Sequence, residues 1–148
     1  MKALATLTAF LVFLTGTLAS CEKGVLKQNI TLKDKPLAEI KRNLQGQWQL
    51  HYERGGISGD YKYVYHNSFI DFRPDDSLYW TVDGEEWANT KIDWKWGRDQ
   101  FHDSTYIMRF SDVWGYPISW GIKGIQEDTL VLYDIGADGM SDYLTKKK

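Results

Sequence analysis

The chain has 148 residues, 18 basic and 20 acidic side chains, and a formal net charge of −2. That length bounds it to one domain, and the near-neutral, slightly acidic balance excludes a basic nucleic-acid binder. Hydrophobic residues at 43% and charged residues at 26% exclude wholesale disorder, and a single cysteine excludes both an intrachain disulfide and a cysteine-based zinc site.

Met1-Lys2 is a short positive start, and Ala3 to Leu18 is an apolar run softened by Thr and Gly. The run is as long as a signal-peptide core and too short and weak for a comfortable membrane span. It ends Leu18-Ala19-Ser20-Cys21, which resembles a bacterial lipobox. The resemblance implies diacylglycerol on the Cys21 sulfur, cleavage before Cys21 and acylation of the new amine. On this reading residues 1–20 are a lipoprotein signal peptide, 21–35 a mobile lipidated tether, and 36–148 the domain. Two or three palmitate-type chains would anchor the protein stably, at about 0.8 kcal/mol per buried CH₂. The implied location is the bacterial cell envelope, at the outer membrane. Glu22-Lys23 resembles the surface-export signals of Bacteroidetes lipoproteins, and the periplasmic and surface faces both stay open.

Asp34-Lys35-Pro36 can start a helix, with an acid to cap it and Pro in the first turn. Leu37, Ile40 and Leu44 then share a face until Gly46. From Gly46 the period is two. Trp48, Leu50 and Tyr52 alternate with polar residues, and Tyr61–Phe72 follows with a bend or bulge expected at Asn67-Ser68. Arg73-Pro74-Asp75-Asp76 is a turn, Ser77–Asp83 a strand, and Asp83-Gly84 a strong hairpin signal. Glu86–Trp96, Thr105–Ser111, a stripe of Ile118, Trp120 and Ile122, then Leu130–Tyr133 and Asp142–Thr145 complete the series.

Strands at this spacing, joined by short turns, predict an all-β, antiparallel up-and-down meander. With one short helix to cover it, the sheet closes most simply on itself as an eight-stranded barrel. Gly46-Gln47-Trp48 matches the G-x-W pattern that opens the first strand of lipocalins. With the lipobox, the tether, the preceding helix and the ending Tyr143-Leu144-Thr145-Lys146-Lys147, the chain resembles the lipocalin-like lipoproteins of Bacteroidetes. The resemblance implies a barrel that binds an apolar or aromatic small molecule. It carries over no particular ligand. The chain departs from the pattern in lacking a disulfide, and Ser141-Asp142-Tyr143 lies too far along to be the Thr-Asp-Tyr motif of that family.

Val64, Leu78, Trp80, Ile92, Trp94, Trp96, Tyr106, Met108, Phe110, Ile118, Trp120 and Ile122 fall on the even face of their strands. Two readings stay open. These side chains fill the barrel, or some of them wall a pocket in which flat rings stack on a ligand. The ligand-binding candidates are Trp80, Trp94, Trp96, Tyr106 and Trp120. A second aromatic group, Tyr61, Tyr63 and Tyr65 with Lys62, Trp87 and Trp114, suits sheet packing or contact with sugar faces or a protein partner.

His51, His66 and His102 lack metal-ligand spacing, and Asp134, Asp138 and Asp142 lack the spacing of a calcium loop and read as solvated. No catalytic motif is present, and no cofactor is implied. The expectation is a non-catalytic, membrane-anchored binder of a small apolar or ring-bearing ligand. The alternative is a protein-interaction or inhibitor module that uses its outer aromatics.

Overall fold

A computed structural model describes residues 29–135 and 139–147. The signal segment, Cys21 and Asp138 lie outside them. The elements run β1 (Ile30–Thr31), α1 (Leu37–Leu44), β2 (Gly46–Gly55), β3 (Tyr61–Phe72), β4 (Ser77–Val82), β5 (Glu85–Lys91), β6 (Asp93–Arg98), β7 (Ser104–Ser111), β8 (Pro117–Gln126), β9 (Thr129–Asp134) and β10 (Ser141–Lys146). All ladders are antiparallel. The sheet order is β5-β4-β3-β2-β10-β9-β8-β7-β6, with β1 added to β8. The sheet is an up-and-down meander curled into a half-barrel.

Among the described residues ten strands are present where eight were expected. One addition is β1. The other arises because the predicted strand Glu86–Trp96 divides at Ile92, its first part pairing with β4 and its second with β7. Those two parts are the ends of the sheet. Asn29–Lys35, expected to be mobile tether, is docked. Ile30 and Thr31 pair with Ile125 and Gly124, and Leu32 is fully buried. Hydrophobic side chains that find a core do not stay extended in water.

The concave side holds the core. Trp48, Leu50, Ile70, Leu78, Met108, Ile122, Leu130, Leu132 and Leu144 are at most 1% exposed. Ile40 and Leu44 of α1 close one end, where the Trp48 indole N–H donates to the Leu44 carbonyl at 2.6 Å. Asp34 does not cap the helix; the N-cap is Pro36, which makes no side-chain cap bond. Lys41 instead ties α1 to the β3–β4 turn through Asp76 at 2.7 Å. The Asp83-Gly84 hairpin forms with both residues at positive φ, 50° and 91°, as a two-residue type I′ turn requires.

Register breaks decide which side chains face outward. β10 places Tyr143 opposite Tyr52 and Leu144 opposite Leu50, so His51 is an extra residue on β2. Lys123 is likewise extra on β8 between Ile122 and Gly124. An extra residue in one strand shifts the alternation that follows it. Tyr52, read from the sequence as a neighbour of Leu50 on the inner face, is turned to the outer face beside Tyr143. Val64, opposite Tyr52, is 50% exposed, so it leaves the inner stripe assigned to it. The break on β3 falls between Val64 and Ser68, next to the bend expected at Asn67-Ser68.

Candidate functional site

The five aromatic candidates occupy three places. Trp80 and Trp120 are core residues, 7% and 4% exposed, with ring centroids 5.2 Å apart and Phe110 against both. Trp94 is partly buried near the end of α1, with the Lys41 ammonium 5.8 Å from its ring. Trp96 packs edge-on against Tyr106 at 4.8 Å near the β6 end of the sheet, and 58% of it is exposed. The indole N–H groups of Trp80 and Trp94 are buried without a hydrogen-bond partner.

A groove of about 1060 Å³ is lined by none of these five residues. Its floor is the outer face of β9, β10 and β2, where Val131, Tyr133, Tyr143 and Tyr52 follow one another. Tyr52 and Tyr143 stack at 4.5 Å with an interplanar angle of 18°. The Lys62 ammonium sits 4.3 Å from the Tyr52 ring and holds that end of the stack. One rim is β1 with the β8–β9 turn, where Asn29 accepts the Glu127 N–H at 3.0 Å. The other rim is the β6–β7 loop, residues 99–103.

That loop is built around Asp99, 6% exposed. One carboxylate oxygen accepts the N–H groups of Phe101 and Asp103, each at 2.9 Å. The other accepts the Tyr133 hydroxyl at 2.7 Å. Burial alone would raise the pKa of Asp99. The Tyr133 hydroxyl, the two backbone N–H groups and Lys33 outweigh it and hold the carboxyl below its usual range. Burial and the neighbouring Asp99 push the Tyr133 hydroxyl up, so it stays a donor. Lys33 pairs with Asp103 and ties the loop to the segment after β1. The outcome is a fixed loop that presents Phe101, 66% exposed, at the groove rim, 6.2 Å from Tyr133. Tyr133 can lie over β8 because Gly121 is there; a Cβ at that position would overlap its ring.

A second cluster lies on the concave side. Tyr63, Glu53, Asp142, Leu132 and Ile122 are successive cross-strand partners. Directly opposed residues share a face, and Leu132 and Ile122 are fully buried. The acids are therefore on the inner face, as is Asp134 opposite the buried Trp120. Burial and the charges of Glu53 and Asp134 push the Asp142 carboxyl up to about 7. Burial also raises Glu53, with the Tyr65 hydroxyl opposing and Asp134 adding. The expectation that Asp134 and Asp142 are solvated loop residues is thus corrected: both end up on strands whose inner face borders the core. Among the described residues, no group of three or more His, Cys, Asp or Glu is placed to hold a metal ion.

Neither the protein-family models, nor the characterised proteins, nor the solved structures compared with this chain match it.

Proposed function

We propose that this chain is an envelope-anchored lipoprotein, acylated at Cys21, that binds a small ring-bearing ligand without catalysis. The half-barrel is, on this reading, an eight-stranded lipocalin-like barrel. β5 and β6 count as one strand bent at Ile92, and β1 is an accessory. What supports that count is their separation by a single residue and their pairing with β4 and β7 respectively.

The ligand seat is the outer groove. One observation carries this. The concave side is filled by the side chains of the core cluster, whereas the convex side holds a 1060 Å³ groove with tyrosine rings on a doubly paired floor. Ligand sites are commonly about 300–1,000 Å³ with a few fixed polar groups. A rigid, preformed seat also loses little entropy on binding. Native mass spectrometry of the full protein, extracted from its own envelope, tests the reading. A reproducible non-covalent added mass, absent from the Phe101→Ala/Tyr143→Ala variant, is the expected result. The same added mass on the variant would reject the groove as its seat.

A protein-interaction module is the second reading. It is favoured by Val113, Trp114 and Tyr116, which are 48%, 61% and 68% exposed on the β7–β8 loop. Asp112 fixes this loop by accepting the N–H groups of Trp114 and Tyr116 at 2.9 and 2.8 Å.

A further inference from the structure

We infer that the groove takes an uncharged oligosaccharide; the inference rests on the groove being the ligand seat. Charge is the first argument. The described lining carries Asp99, Asp103 and Glu127 against Lys33 and Lys123. Lys33 is already paired with Asp103, and Asp99 is already saturated by Tyr133 and two backbone donors. The residual field is small, so neither a polyanion nor a polycation finds its complement there.

The hydrogen-bonding inventory is the second argument. Gln100 and Gln126 are exposed on opposite rims. Each amide offers an acceptor and two in-plane donors. A vicinal pair of sugar hydroxyls, each both donor and acceptor, fits such a planar amide. A purely apolar ligand would leave these groups dehydrated and unpaired, at a cost. Shape is the third argument. One face of a pyranose is a flat patch of C–H groups, which packs on an aromatic ring while the hydroxyls point sideways. Phe101 is such a ring, exposed and held by the Asp99 loop, and Tyr143 lies on the floor. The volume is at the top of the range for single small ligands, which suits linked rings more than one.

The backbone argues against an extended peptide. β10 is paired on both sides, with β2 and β9, and β9 with β10 and β8. The floor therefore has no free edge onto which a peptide could add as a strand, and the open edge of β1 at the rim is two residues long, too short to hold one.

The test is calorimetric titration of the full chain in detergent. The probes are hexasaccharides of β-linked glucose, β-linked N-acetylglucosamine and α-linked mannose, a sulfated hexasaccharide, riboflavin and an extended octapeptide library. At least one uncharged hexasaccharide is expected to bind. Phe101→Ala and Gln126→Ala should each weaken it about tenfold or more, with unchanged melting temperature, and Phe101→Trp should retain it. Phe101-dependent binding of only the sulfated sugar, riboflavin or a peptide would overturn the uncharged-saccharide class and leave the groove standing. Saccharide binding indifferent to Phe101 and Gln126, or no binding by any probe, would overturn both.

Discussion

Two buried tryptophans differ in one hydrogen bond, and that difference is measurable. Trp48 and Trp80 are 1% and 7% exposed, but only the Trp48 indole N–H has a partner. Trp48→Phe strips the Leu44 carbonyl of that donor and should cost about 1–3 kcal/mol. Trp80→Phe removes a donor that was already unpaired; both variants lose the same ring volume, so its loss should be smaller than that of Trp48→Phe by about that amount. Urea midpoints of the two variants compare them directly; equal losses would show that the Trp80 N–H is satisfied. Asp142 gives a pH signature. Its folded pKa of about 7 lies above the ordinary 3.8. Between those values the folded chain keeps a proton that the unfolded chain has released, so stability falls as pH rises from about 4 to about 7 and then levels off. Asp142→Asn should match the parent near pH 4 and exceed it at pH 7.5, by about 4 kcal/mol at most and less where water reaches the site. A constant difference across that range would remove the assignment.

At the scale of elements, the β6–β7 loop depends on Asp99 and Gly121 together. Asp99→Ala leaves the Tyr133 hydroxyl and two N–H groups without their acceptor and should cost about 1–3 kcal/mol. Gly121→Ala displaces the Tyr133 ring and should cost a similar amount, about 1–3 kcal/mol. Both act on Tyr133, so the double variant should lose clearly less than the sum; strict additivity would mean that the ring and the loop are independent. The strands themselves were legible. Alternation from Gly46 onward and the Asp83-Gly84 turn came from local chemistry. The groove was not. Tyr52 faces it because His51 is an extra residue in the β2–β10 ladder, and nothing in His51 announces a bulge. Phe101 matters because Asp99 meets Tyr133, 34 residues away. Asp99 and Asp103 around an unexplained Phe were the available signal, readable only once Tyr133 was known to face outward.

At the scale of the molecule, the two faces of one sheet differ: one is packed and the other carries a groove. Its concave face supplies the apolar burial that stabilises the fold, with α1 closing one end and Leu32 pinned beneath β1. Its convex face carries the groove along β9, β10 and β2, the seat proposed for a ligand. The aromatic excess of the sequence divides between the two, Trp mainly inward with Tyr65 and Tyr106, and Tyr52, Tyr133 and Tyr143 with Phe101 outward, and composition alone could not make that division. Amide hydrogen exchange on the full chain, with and without an excess of uncharged hexasaccharide, is the most direct test of the groove. Slowed exchange across residues 99–103, 129–133 and 141–143, with the segments around Trp80 and Trp114 unchanged, is the result expected here. Protection confined to the segments around Trp80 and Trp120 would contradict the groove and return the site to the concave side.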